Sequence, residues 1–518
     1  MRVIAHKIDI LTGGTNVVAV GPKVAQELDL HPMDRVRLTV PDPENGEDSA
    51  PMEDDTKQPS CVATVDFWTE SRSGFEVALF EDTFLSLGIE DGQEISLMPL
   101  GKPPSIEYIK KKMAGEELSE DELNSIIADV VDDRLTGVEL ASFISAVAMS
   151  DMTLNEISSL TRALVNTGET MSFPHDVVAD KHCSGGVPGN RTTLIVVPIM
   201  AALGVCIPKS SSRAISSAAG TADAMEVLAN VILSKEQVKK IVEKANGCIA
   251  WGGGLNLAPA DDKLIRVRKP MGLDPIGLFL PSILAKKYSM GSTHVLFDLP
   301  LGYEAKIGSI GEVKHLESII IRLGRMLGMK VDVLISYGDE PIGNGIGPVL
   351  EVRDVLKVLQ NKPDAPKDLE EKSLRIAGRL IELIGIERFK DGGRRGDGIK
   401  VAEEVLRSGK AWKQMQKIIK AQGGDPKVSI EDLKLAPFKH DIVAERSGKM
   451  LDTVNTVVAK VARMAGSPQN KEAGVYLNRK FNEFVNRGDV LATVYAGSED
   501  KLRRVKRLLD ETPMFEVM

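Results

Sequence analysis

The chain has 518 residues, 43% of them hydrophobic and 27% charged, a soluble, globular composition that suggests three or four domains at roughly 150 residues each and excludes disorder along the whole length. Its 65 basic and 74 acidic residues give a net charge of −9, which argues against generic binding to nucleic acid or an anionic membrane, both of which need a basic surface. Four cysteines without CxxC spacing and seven histidines without HxxxH or HExxH pairing suggest no disulfide framework and no metal site, so a reduced, cytoplasmic protein is expected.

The opening MRVIAHKIDI lacks the apolar stretch of a leader peptide, and the longest nearly apolar run, Leu194–Ile207, is too short to cross a bilayer. That run reads better as a buried helix followed by a strand. Residues 1–100 contain a weak repeat. NVVAV, PKVAQELDL and DRVRLTV read strand, helix, strand, and FEVALF, EDTFLSLGI and QEISLMP repeat that order. Val18 matches Val77, Leu28 matches Leu87 and Leu38 matches Leu97, an offset of 59 residues. Two such units, each burying one face, predict a small duplicated β-barrel. The acidic segment 41–60 between them predicts an exposed loop.

Gly101–Pro104 reads as a linker into a helical part, 101–175. Capping boxes at Ser119/Glu122, Thr136/Glu139 and Thr153/Glu156 each precede an apolar pattern of helical spacing. Beyond Val177, short β-rich runs (VVAD, VCIP, CIAW, HVLFDL, KVDVLIS) alternate with helices. This predicts βαβ units around a mixed or parallel sheet. The central α/β domain is placed at 176–424, with helices returning from about Val349, and a C-terminal α+β domain at 425–518. The fold class is therefore multi-domain α/β and α+β.

Three segments can carry chemistry. In Asp180–Asn190, DKHCSGGVPGN, three glycines let backbone N–H groups approach an anion, and Lys181 and Ser184 add a charge and a hydroxyl. A tight strand–helix turn would also need those glycines. In Lys209–Thr221, KSSSRAISSAAGT, the hydroxyls of Ser211, Ser212, Ser216, Ser217 and Thr221 accompany Lys209 and Arg213, again after a strand. Strand C-terminal ends of α/β sheets are where ligands bind. The third segment holds Asp274, in a Gly–Leu–Asp–Pro turn before an apolar helix, where capping is its competing role. Ser282 and Lys286 share one face of that helix, and Lys287 is expected to be solvated. Lys306 follows the strand HVLFDL. His182 is a further candidate, as ligand contact or as support for one, and Cys183 has no readable base partner.

DKHCSGGVPGN, SSRAISSAAGTAD, WGGGLNLAPADDKL and AQGGDP resemble, in order, the motifs of the pyrimidine-nucleoside phosphorylase family over residues 104–518. With the N-terminal region added, the chain is similar to the family's AMP-phosphorylase branch from archaea. The resemblance implies a helical domain and an α/β domain flanking a cleft, and phosphorolysis of a nucleoside 5′-monophosphate (AMP, with CMP and UMP) to free base and ribose 1,5-bisphosphate. It implies phosphate contacts at Lys181, Ser184, Ser211 and Thr221. Nucleotide contacts are implied at Gly186, at Ser212, Arg213, Ala214, Ile215, Ser216 and Ser217, and at Thr221, Ser282 and Lys306. Asp274 corresponds to the proton donor. Cys183 stands where the thymidine-type pattern has Ser, and Met271 and Asp274 stand where it has Tyr and Arg, which disfavours the alternative of a thymidine-type phosphorylase. An anthranilate-type phosphoribosyltransferase would need acidic residues for magnesium and diphosphate, and no convincing set is readable. A non-enzymatic assembly module leaves the anion loops without a purpose. The chemistry requires no metal and no organic cofactor. The expected partners are small-molecule substrates and further copies of the chain, as a homodimer or larger, with the N-terminal domain serving assembly.

Overall fold

The computed structural model describes residues 1–13, 16–41, 59–69, 74–214, 217–385 and 396–518. Most of the expected 41–60 loop, and Ile215 and Ser216, lie outside them. The described chain forms two compact units, Met1–Gly168 with Ala258–Ser282 and Glu169–Leu257 with Ile283–Met518.

The first unit begins with β1 (Arg2–Ile8), β2 (Val17–Val20), α1 (Pro22–Glu27), β3 (Arg35–Thr39), β4 (Ser60–Phe67), β5 (Glu76–Phe80), α2 (Glu81–Leu87) and β6 (Glu94–Leu100). The six strands close into a barrel in the order β1-β5-β2-β4-β3-β6. Exchanging β1 with β4, β2 with β5 and β3 with β6 leaves this order unchanged. β1 and β4, which the 59-residue pattern does not include, align at an offset of 60 residues. Ala5 pairs with Val77 as Val65 pairs with Val18. One residue of slip turns an alternating pattern onto its other face. The lumen is apolar: Val18, Val36, Leu38, Val65, Leu79, Ile95 and Leu97 are fully buried.

Four helices follow: α3 (Ser105–Met113), α4 (Glu120–Val131), α5 (Gly137–Met149) and α6 (Leu154–Asn166). All three predicted capping boxes form. Each satisfies two N–H groups that a helix start would otherwise leave unpaired. Arg35 of the barrel pairs with Glu139 at the start of α5.

The second unit carries β7 (Ala179–Cys183), α7 (Thr193–Ala202), β8 (Ile207–Ser211), α8 (Thr221–Met225), α9 (Lys235–Ala245) and β9 (Gly247–Trp251). The chain then passes through α10 (Pro259–Met271) of the first unit and along α11 (Ile276–Ser289), which runs from the first unit into the second. It continues with β10 (His294–Leu301), α12 (Ile310–Met326), β11 (Lys330–Tyr337), β12 (Gly345–Ile346), α13 (Pro348–Leu359), α14 (Lys367–Ile384), α15 (Asp397–Arg407) and α16 (Lys410–Ala421). β11, β10 and β7 are parallel neighbours, as are β8 and β9, and a parallel bridge from Val178 to Cys206 sets β8 beside β7. A parallel sheet covered by helices is buried on both faces, which explains its continuous apolar runs. α7 packs wholly buried among α13–α16, the helix foreseen in the apolar run.

The last segment comprises β13 (Phe438–Val443), β14 (Gly448–Thr453), α17 (Asn455–Ala465), β15 (Gly474–Leu477), β16 (Phe484–Val485), β17 (Val490–Ala496), α18 (Glu499–Glu511) and β18 (Phe515–Val517). It builds one sheet of order β12-β15-β17-β13 and another of order β16-β14-β18.

Candidate active site

Because β7, β8 and β10 run parallel, their C-terminal ends lie on one edge of the sheet. Two predicted loops leave from that edge. In the first, Ser184 N donates to Asp298 O of β10 at 3.1 Å. Gly186 follows with φ +88°, and a Cβ there would lie 2.8 Å from Lys306 N. Only glycine permits both that conformation and that approach, so the fold joins Gly186 to the turn bearing Lys306.

The second loop is folded back on itself. Asp223 Oδ2 accepts from Ala214 N at 2.7 Å and from Gly220 N at 2.8 Å. The Arg213 guanidinium donates to Glu226 at 2.6 and 2.9 Å and to Asp223 at 3.1 Å, and lies 5.0 Å over the Trp251 ring. Its side chain is thus committed to shaping the loop. The hydrogen bond from Arg213, with further pairing to Lys471, holds the Glu226 carboxyl down at about 2.

Beneath these loops lies a buried network of charge. Asp180, wholly buried, sits between Lys287 Nζ at 2.7 Å and Lys209 Nζ at 3.4 Å. Lys287 is therefore not solvated, as its helix position suggested. The face of α11 next to the Ser282/Lys286 face is covered too, and Asp180 receives the ammonium. Lys372 Nζ lies 3.3 Å from Asp298, and Lys181 Nζ donates to Thr192 Oγ1 at 2.7 Å. Burial pushes Lys181 down to about 8 and Lys209 well below its ordinary value. Four buried lysines thus face two buried aspartates, an arrangement that an arriving anion would relieve. At the same strand ends the buried hydroxyls Ser184 Oγ and Ser211 Oγ have no hydrogen-bond partner in the protein. A buried hydroxyl without a protein partner is satisfied by a water or a ligand, and these two stand together at neighbouring strand ends.

His182 packs against Phe297 at 5.6 Å. Burial, reinforced by Lys287 and Lys209, keeps its imidazole well below the usual range, so it stands there as a neutral ring. Cys183 accepts from Asn190 Nδ2 at 3.2 Å, and burial raises its thiol to about 11. That excludes a resting thiolate nucleophile.

In the first unit, Ser282 Oγ donates to Asp261 Oδ2 at 2.7 Å and is buried. Asp274 is 44% exposed and lies 3.1 Å from Arg268. The α11 helix opens on the carbonyl of Pro275, which accepts from Leu278 N and Phe279 N, so Asp274 stands one residue before the cap position. Lys286, in the second unit, is half-buried.

Sequence reasoning missed Arg191, Asp223, Asp298, Glu351 and Lys372. Asp298 lies in strand β10 and Glu351 and Lys372 in helices α13 and α14, and Arg191, Asp298, Glu351 and Lys372 find their partners on segments distant in sequence.

Comparison with known proteins supplies the family. A profile described as glycosyl transferase family, helical bundle domain, matches residues 106–168, and the α/β domain of the same family matches 175–412. The pyrimidine nucleoside phosphorylase C-terminal domain matches 452–514. The AMP phosphorylase of Thermofilum pendens is 41% identical over 96% of this chain and 91% of its own. AMP phosphorylase 1 of Archaeoglobus fulgidus is 44% identical over 85% and 86%, and the AMP phosphorylase of Thermococcus kodakarensis 43% over 82% and 84%. Among solved structures, anthranilate phosphoribosyltransferase from Thermus thermophilus superposes with a TM-score of 0.52 at 19% identity, covering 61% of this chain and 98% of its own. At that identity the likeness is one of fold.

Proposed function

The chain belongs to the AMP phosphorylase family, and from that premise we propose how its residues divide the work. The enzyme is a pentosyltransferase. It breaks the bond between C1′ and the adenine of AMP, forms a bond from C1′ to an oxygen of inorganic phosphate, and releases adenine and ribose 1,5-bisphosphate. CMP and UMP are proposed as further substrates. We assign inorganic phosphate to Ser184, Ser211, Thr221 and Lys181. The observation that carries this is the pair of partnerless buried hydroxyls at adjacent strand ends, backed by an excess of buried lysine. The 5′-nucleotide is assigned to Gly186, to residues 212–217, and to Thr221, Ser282 and Lys306.

Asp274 is assigned the proton that the departing adenine needs at N7. It stands beside Arg268 as a carboxylate, so it must leave that partner and take up a proton from solvent before it can pass one to N7. The remaining work is positioning and electrostatic stabilisation of an oxocarbenium-like C1′. We further propose that the barrel is a duplicated ββαβ unit and that it serves assembly beyond a dimer. Its exposed Ile10, Leu11 and Leu85, each more than half accessible, support that reading. Light scattering on the chain with these three changed to Ser should then report a smaller oligomer. Incubation with AMP and phosphate should release adenine, and adenosine should be a much poorer substrate. Equal turnover of adenosine would remove the 5′-phosphate pocket.

A further inference from the structure

Arg191 lies at the end of the first loop, 8% exposed. Its guanidinium makes three contacts in three directions. Nη1 donates to Thr221 Oγ1 at 3.1 Å, Nη2 donates to Ala219 O at 2.8 Å, and Nε pairs with the Glu351 carboxylate. Glu351 is itself buried and accepts from Gly347 N at 3.2 Å, anchoring the arginine to the start of α13. The planar fork thus ties the first loop, the second loop and α13 together, a geometry that lysine cannot reproduce.

The direction of the Thr221 bond matters. A hydroxyl has one proton and two lone pairs. One lone pair of Thr221 Oγ1 is taken by Arg191, which has no acceptor to offer in return, and no acceptor for the Thr221 proton is found among the described residues. A threonine held this way keeps its proton for a ligand, and its donor strength is raised by the cation behind it. We propose that Arg191 is a positioning residue for the reaction: it fixes the Thr221 hydroxyl as a donor aimed at the acceptor phosphate. This rests on the assignment of Thr221 to inorganic phosphate made above.

The test is a kinetic cycle on the full-length enzyme, with KM measured separately for phosphate and for AMP. Thr221→Val should raise KM for phosphate on the order of 10-fold or more, the loss expected for a hydrogen bond to a charged group. Arg191→Lys, which keeps a charge beside Glu351, should raise it by a similar factor while kcat changes less. The double variant should be no worse than Thr221→Val alone, since Arg191 then has no hydroxyl left to orient. A merely structural role would lower the melting temperature and kcat without that non-additivity.

Should Arg191→Lys fail to fold, the Arg191→Met, Glu351→Gln pair leaves no unpaired buried charge and enters the same cycle. Multiplying effects, or a normal phosphate KM in Arg191→Lys beside a raised one in Thr221→Val, would overturn the proposal and leave the phosphate assignment standing. A normal phosphate KM in Thr221→Val, or a rise in KM for AMP alone, would overturn both.

Discussion

The barrel and the edge of the parallel sheet solve opposite problems. The barrel lumen is filled by Val, Leu, Ile and Ala on alternating positions, so its strands are stable for the ordinary reason that apolar surface leaves water. The sheet edge buries Asp180, Lys181, Lys209, Lys287, Asp298 and Lys372 together with two partnerless hydroxyls. Burying charge costs several kcal/mol per ion unless it is well paired, and here lysine outnumbers aspartate. The barrel has no comparable cluster among the described residues, and that difference is what supports the proposal that the phosphate binds at the sheet edge.

The largest effect is expected from the chemical residue assigned to the barrel's own unit. Asp274→Asn should lower kcat for AMP on the order of 10²–10⁴-fold. Asp274 is 44% exposed but Arg268 only 11%, and Asn keeps an oxygen that can accept from the guanidinium, so stability should fall by about 1–3 kcal/mol in denaturant unfolding, far less than the change in kcat. Near-normal turnover would leave the proton donor elsewhere. Next comes Asp180→Ala, which removes the one carboxylate placed between the buried ammonium groups of Lys209 and Lys287. Denaturant unfolding should show a loss of about 3–5 kcal/mol, and a neutral result would mean that the two lysines do not depend on that carboxylate. Leu97→Ala in the barrel should cost about 2–5 kcal/mol yet leave KM for phosphate untouched, separating the two regions by readout.

The smallest effect is one of pH. Lys181, depressed to about 8 by burial, is charged below that pH and neutral above it. KM for phosphate should therefore rise as pH climbs through about 8, and Lys181→Gln should flatten the profile. Phosphate is a dianion through this window, so a rise there reports the enzyme.

Much of this was legible in the sequence. The capping boxes specify their own geometry within four residues, and SSxR and GGxPG loops after β-rich runs mark a strand-end ligand edge. Local pattern falls short where partners are distant. Lys287 reads as a surface residue by helix position, and only the pairing of β7 with β10 brings Asp180 under it. The partners of Arg213, Asp223 and Glu226, lie ten and thirteen residues on, beyond what the loop's local pattern shows. Strands β1 and β4 of the barrel carry no signal in the 59-residue pattern, because their own offset is 60.

The contrast between the two regions is tested most directly at the partnerless hydroxyls. Ser184→Ala combined with Ser211→Ala removes two buried polar atoms that have no protein partner, so without phosphate the melting temperature should hold or rise. KM for phosphate should rise by about 100-fold, each of the two lost hydrogen bonds to a charged group being worth about 10-fold. A double variant that is destabilised without phosphate, or that keeps its phosphate KM, would contradict the assignment of this edge to the acceptor phosphate.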